Sequence, residues 1–171
     1  MKKNLLVTGR PGCGKTTLIR KIIELFPEKC GGFFTQEIRD KGTRKGFKIQ
    51  SIQGKEAIFA HQESKSPFRV GKYGVNLNQL EEIGAQAIRQ ARINQKLIII
   101  DEIGKMELFS EKFKNEVLAA FDSPQKVLAT IMFRSQPFID KIKKRKDAEL
   151  ISLTQENFNS VLNAIINWLK D

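Results

Sequence analysis

Gly9-Arg10-Pro11-Gly12-Cys13-Gly14-Lys15-Thr16 stands directly after the apolar run Leu5-Leu6-Val7. It is followed by an apolar stripe at helical spacing, Leu18, Ile19, Ile22, Leu25 and Phe26, which Pro27 stops. The octet has the form GxxxxGK[ST], a loop that wraps phosphates where a strand hands over to a helix. The residue types follow from that task. Glycines let successive backbone N–H groups point inward at phosphate oxygens, in conformations that a Cβ would penalise. Lys15 adds a point charge at the outer phosphates and Thr16 a hydroxyl for Mg²⁺. The helix that opens here contributes its positive end and its unsatisfied N–H groups. Gly9, Arg10, Pro11, Gly12, Cys13, Gly14, Lys15 and Thr16 are therefore expected to bind a nucleoside triphosphate, with Thr17 continuing the contact. A glycine-rich turn without a ligand is the plainer alternative.

Outward from the loop, the pattern alternates strands and helices, an α/β protein built as a three-layer sandwich around a mostly parallel central sheet. Phe33 to Ile38 reads as a strand, and Gly46 to Ile52, a Gln53-Gly54 turn and Lys55 to Ala60 read as an inserted antiparallel hairpin. Residues 61–75 read as a loop. Asn76 is expected to cap a helix carrying Leu77, Leu80, Ile83, Ala87, Ile88 and Ala91. Leu97-Ile98-Ile99-Ile100 is apolar throughout, as suits a strand covered on both faces at the centre of the sheet. A helix from Ser110, a strand from Lys126 to Met132, a short helix opened by Pro137 and a strand from Leu150 to Leu153 follow. The final helix is expected to start at a Thr154 cap and to bury Phe158, Val161, Leu162, Ile165, Ile166 and Leu169. The whole of 1–171 is expected to form one domain.

Asp101 and Glu102 close the central strand, at the carboxyl end where open α/β sheets bind ligands. Asp101 is expected to hold Mg²⁺ opposite Thr16. Glu102, the next residue, is placed to orient and deprotonate a water in line with the terminal phosphate. A turn carboxylate or helix cap is the alternative for Asp101.

Composition narrows the class further. The chain has 30 Lys and Arg against 19 Asp and Glu, a net +11, concentrated in Arg39, Lys41, Arg44, Lys45, Lys48 and in Lys141, Lys143, Lys144, Arg145, Lys146. Nucleic acid is thereby raised as a partner, but a single aromatic residue, Phe47, falls among these clusters, short of the interleaving that base-stacking surfaces require, and solvated faces are the favoured reading. The start, Met1 to Val7, is too short an apolar run for a secretory leader, and no stretch has the length to span a membrane. Two cysteines, Cys13 and Cys30, suggest neither a metal site nor a redox pair, so a reducing, cytoplasmic setting is expected.

Asp101-Glu102-Ile103-Gly104-Lys105-Met106-Glu107-Leu108 takes the reading from a class to a family. With Gly32 to Arg39, Arg44-Lys45-Gly46-Phe47, Gly71 to Asn76 and Leu153 to Asn157, it resembles the thermophilic and cancer-related nucleoside triphosphatases over essentially the whole chain. The resemblance implies a P-loop fold of RecA-like and kinase-like type with extra antiparallel strands. It also implies slow, Mg²⁺-dependent hydrolysis of ATP, GTP, CTP and UTP to diphosphates with weak base discrimination, in a protein expected to be a monomer. Carried over by position, Asp101, Glu102 and Lys105 complete the reaction centre, and Ile103 and Gly104 join Asp101 and Glu102 among the nucleotide-binding residues. Where the family pattern has proline after Ala129-Thr130-Ile131, this chain has Met132, then Phe133 and Arg134. Arg134 is the candidate arginine for charge on the transferring phosphoryl group, with a surface role as the alternative. Lys105 either reaches the outer phosphate or pairs with Glu107 or another acid.

His61, the sole histidine, reads as a surface residue, and Met106, Leu108 and Phe109 as core. Tyr73, in a loop between Gly71 and Gly74, can stack on a base, a contact that its position allows without demanding. Two further functions compete with hydrolysis by water. One is a nucleotide or small-molecule kinase with Lys141 to Lys146 as a mobile lid; the other is a nucleic-acid-stimulated ATPase.

Overall fold

A computed structural model describes residues 1–95 and 97–171. The chain runs β1 (Asn4–Thr8), α1 (Lys15–Leu25), β2 (Cys30–Asp40), β3 (Thr43–Ser51), β4 (Glu56–His61), β5 (Arg69–Val70), β6 (Tyr73–Val75) and α2 (Leu77–Gln79). A π-helical segment, Leu80–Ala85, joins α2 to α3 (Gln86–Asn94). Then come β7 (Leu97–Ile103), α4 (Glu111–Asp122), β8 (Lys126–Ile131), α5 (Pro137–Lys143), β9 (Ala148–Ser152) and α6 (Phe158–Lys170).

Strand order is β5-β6-β4-β3-β2-β7-β8-β1-β9. From β2 to β9 the pairs are parallel, and from β2 outward to β5 they are antiparallel. Alternation along the parallel strands sorts side chains to two faces. Leu6, Phe33, Ile98, Ile100 and Val127 pack with the Leu80–Ala91 helix, α4 and α5; Leu5, Val7, Ile99 and Leu128 pack with α1 and α6. The three-layer sandwich and the central place of β7 are as the sequence implies. None of the described helices is long and apolar enough to cross a membrane.

Several local expectations are corrected. The inserted hairpin is part of a larger antiparallel wing of β3, β4, β6 and β5, and residues 61–75 are not simply a loop. Two strands of two and three residues are too short to show a period, and Arg69 ties their turn together by donating to the Ser64 and Lys72 carbonyls, both at 2.7 Å. Asn76 does cap its helix, its Oδ1 accepting from the Gln79 N–H at 3.2 Å, but the π-helical insertion is invisible to a helical-period count. The last helix begins at Phe158, because Thr154 and Asn157 satisfy each other's backbone N–H groups in a turn before it. Its buried side includes Trp168, with Phe158, Leu162 and Ile166 only half-buried. Leu25 and Phe109 are exposed, not core, whereas Tyr73 is buried with its hydroxyl accepting from Arg44 Nε at 2.9 Å, out of reach of a base.

Gly32 shows how tightly β2 is laid on β7. Its φ is +107°, and a Cβ there would lie 2.0 Å from the Ile99 carbonyl oxygen, a main-chain atom of the neighbouring strand. Gly32→Ala is therefore expected to destabilise the protein by about 3 kcal/mol or more, the strained φ alone contributing on the order of 1–3 kcal/mol. At about 2–4 °C per kcal/mol for a chain of this size, thermal unfolding should register a drop of roughly 6 °C or more.

Candidate active site

The phosphate loop leaves the carboxyl end of β1 and enters α1 with Gly14 at the cap position. Gly12 and Gly14 hold positive φ, +79° and +103°, so the loop's inward-turned N–H groups depend on residues without a Cβ. Lys15 Nζ donates to the Gly9 carbonyl at 3.0 Å and the Arg10 carbonyl at 3.3 Å, which stretches the side chain along the inside of the loop.

Because β8 runs between β1 and β7, its end supplies a residue that bridges the two halves of the site. Thr130 Oγ1 donates to Asp101 Oδ1 at 2.6 Å, and Thr16 Oγ1 donates to Oδ2 at 3.0 Å. The Thr35 N–H, from β2, donates to Oδ2 at 3.3 Å. Asp101 thus collects contacts from three other elements while almost fully buried. Burial pushes its carboxyl up from the usual range, and these hydrogen bonds and the Lys15 charge pull against that. Thr130 and Thr35 escape the sequence reading because a threonine within a strand normally reads as strand propensity. Only the interleaved strand order gives them a role.

Glu102 follows across a cis peptide and points to the loop side. Burial, then the Asp101 charge, push its carboxyl up, and Lys15 lowers it. Glu107, in a 3₁₀ turn at Glu107–Phe109, is buried with Oε2 accepting the Gly104 N–H at 3.1 Å. Its burial and the nearby Glu102 push it up to about 8. The folded protein therefore keeps a proton that the unfolded chain releases above its ordinary value near 4.5. The resulting stabilisation is complete below that value and is lost as pH rises from 4.5 towards 8. Glu107→Gln keeps an acceptor for Gly104 and cannot ionise, so nucleotide-free variant and wild type are expected to melt together near pH 4.5. At pH 8 the variant should melt several degrees higher, at about 2–4 °C per kcal/mol.

Two hollows open on either side of the loop. The larger, about 790 Å³, is bordered by Gly9, Arg10, Pro11, Lys15, Thr35, Glu102, Gly104, Lys105 and Arg134, with walls from both the wing and the end of β8. The smaller, about 380 Å³, is bordered by Gly12, Cys13, Gly14, Thr17, Lys21, Gln155, Phe158 and Asn159. All the phosphate-loop positions, Asp101, Glu102, Gly104, Lys105 and Arg134 are thus brought to one region. Ile103 is buried in the core, below it rather than in it. Nothing in the sequence assigns Phe158, Lys21 and Gln155 to the site, because only the packing of α6 beside α1 brings them together there.

Lys105 and Arg134 are exposed and enter none of the ion pairs found among the described residues; Glu107 does not hold Lys105. The Met132 N–H is fastened to the Ile103 carbonyl at 3.1 Å, and Lys143 Nζ donates to the Phe133 carbonyl at 3.1 Å, so the loop bearing Arg134 is tied at both sides. The basic clusters are partly neutralised: Glu37 pairs with Arg39 and Arg44, Glu56 with Lys48, and Asp122 and Asp147 with Arg145. Lys141 and Lys143 lie on α5, which is anchored by buried Ile139 and Ile142, and Lys144 to Lys146 follow it. His61 ends β4, its Nδ1 accepting the Glu63 N–H at 3.1 Å.

Comparison with known proteins gives a consistent result. The family model described as NTPase matches residues 4–166. The nucleoside-triphosphatase THEP1 of a Thermotoga species (strain RQ2) is 52% identical over 166 residues, 97% of this chain and 95% of that protein. The crystal structure of THEP1 from the hyperthermophile Aquifex aeolicus superposes with a TM-score of 0.90 at 40% identity, covering 98% of this chain and 99% of the other. The solution structure of a human cancer-related nucleoside triphosphatase gives 0.83 at 33% identity, covering 97% and 96%.

Proposed function

The chain belongs to the NTPase family, and on that premise we propose that it is a Mg²⁺-dependent nucleoside triphosphatase, slow and broad in base choice, releasing diphosphate and inorganic phosphate. The observation that carries the reading is Glu102. It borders both the phosphate loop and the open chamber beside it, whereas Glu107, the other acid there, is engaged with Gly104.

With the terminal phosphate on the chamber side, the loop N–H groups and Lys15 hold its oxygens, and Lys15 exchanges two carbonyls for them. Glu102 takes the proton from a water aligned with the phosphorus, and the raised affinity of its carboxyl for protons suits a base. Arg134 and Lys105, exposed at the chamber's edge and in none of the ion pairs among the described residues, can swing onto the transferring group. Asp101 and Thr16 would hold Mg²⁺: a carboxylate and a hydroxyl within 3.0 Å of each other are a hard-oxygen pair, leaving its other positions to phosphate and water. Held there, Mg²⁺ would supply positive charge to offset that of the outer phosphates. The remainder of the nucleotide then runs past Thr17 to the smaller hollow, where Phe158 offers a ring and Gln155 and Asn159 offer amides. An amide presents either a donor or an acceptor, which supports tolerance among bases.

The test is phosphate release from ATP, GTP, CTP and UTP, with and without Mg²⁺ and single-stranded nucleic acid. All four are expected to be hydrolysed with kcat/KM within about tenfold, ~1.4 kcal/mol, only with the metal and without stimulation by nucleic acid. Stimulation by RNA or DNA, or hydrolysis of a single nucleotide, would overturn the reading.

A further inference from the structure

The chamber beside Glu102 is larger than the hydrolysis of a triphosphate requires. At about 790 Å³, a space that also takes the terminal phosphate beside Gly9 and Lys15, it falls within the ~300–1,000 Å³ of sites that enclose whole organic ligands, while a water takes about 30 Å³. Its walls are not those of a water channel. Phe47 and Phe59 come from the antiparallel wing, Met106 from the turn after β7, and Met132 and Phe133 from the end of β8. Phe133 is 58% exposed at the mouth, a large apolar side chain held outward with no core to fill. The two methionines can adapt to ligand shape. At the edge stand Lys105 and Arg134, in none of the ion pairs among the described residues. Aromatic and thioether walls with cations at the rim complement a flat apolar body carrying a carboxylate, sulfonate or phosphate.

We propose that this chamber binds such an organic anion together with the nucleotide, and that its occupancy governs hydrolysis by excluding water from Glu102. The inference rests on the orientation given above, with the terminal phosphate towards Glu102 and the nucleoside over Phe158. The nucleoside and the second molecule then lie on opposite sides of the loop; the terminal phosphate takes the part of the chamber beside Gly9 and Lys15, and the second anion holds Lys105 and Arg134 away from the transferring group. The expected signature is a fall in kcat with KM for the nucleotide unchanged.

The probe is 8-anilinonaphthalene-1-sulfonate, an aromatic anion, titrated by fluorescence against the full chain saturated with Mg²⁺ and the β,γ-imido analogue of ATP. One saturable site is expected to persist with nucleotide bound, and kcat for ATP to fall as it fills. Phe133→Asp, at an exposed position, should weaken the dye by roughly tenfold or more, and Arg134→Glu should do the same through the rim charge. Phe158→Ala should raise KM for ATP and leave the dye's affinity alone. Absence of dye binding, or binding indifferent to both chamber variants, overturns the inference and leaves the triphosphatase reading intact. Displacement of the dye by the analogue, with KM raised by Phe133→Asp and not by Phe158→Ala, overturns the orientation itself and places the nucleoside in the chamber.

Discussion

Glu102→Gln is expected to bind Mg²⁺ and nucleotide about as tightly as the wild type while turnover falls by roughly 10²-fold or more. The amide replaces the carboxylate in nearly the same volume, so the loop, Asp101 and its three partners stay as they are. What is lost is the ability to take a proton. Equilibrium binding of a fluorescent triphosphate analogue, with single-turnover phosphate release on the same samples, separates the two effects. Turnover within a few-fold of wild type would remove Glu102 from the role of base. In the wild type, release should climb with pH as Glu102 ionises above the ordinary carboxylate range.

Lys15→Ala should cost both binding and turnover, because in the proposed reaction its ammonium would meet phosphate oxygens in the ground state and more strongly as charge builds in the transition state. Loss of one such preorganised donor is typically worth roughly 10²–10³ in rate, and nucleotide affinity should fall by about tenfold or more. The fold should tolerate the change, since Lys15 makes only two carbonyl contacts, an exposed one to Arg10 and a part-buried one to Gly9. A second readout is specific to this site. Lys15 lowers the proton affinity of Glu102, so its removal should move the residual pH profile to higher pH. An unmoved profile would show that the two side chains do not share a field.

The motifs announced themselves because their constraints are local. The loop's glycines, the apolar run before Asp101 and the cap at Asn76 each depend on residues within a few positions, and each is where the spacing puts it. What escaped depends on partners distant in the chain. Thr130 and Thr35 matter only because β8 and β2 flank β7, and Phe158 only because α6 packs beside α1. Tyr73 looked accessible between two glycines, yet the wing folds it under Arg44 and Phe47. The two-residue β5 and the three-residue β6 and the π-helical segment carry too few residues for any period to register.

β2 is shared property. Its first residues are laid parallel on β7, its later ones antiparallel on β3, and between them the Thr35 N–H reaches Asp101. One continuous beam therefore meets both Asp101 and the chamber at Thr35, and carries beside it β3, whose Phe47 forms part of the chamber wall. Residues added at the Lys41-Gly42 turn would lengthen the wing and leave the centre alone. A single residue inserted between Gly32 and Thr35 would turn every later side chain to the opposite face, and the centre and chamber would lose their alignment together. The wing cannot drift in register independently of the chemistry it shelters.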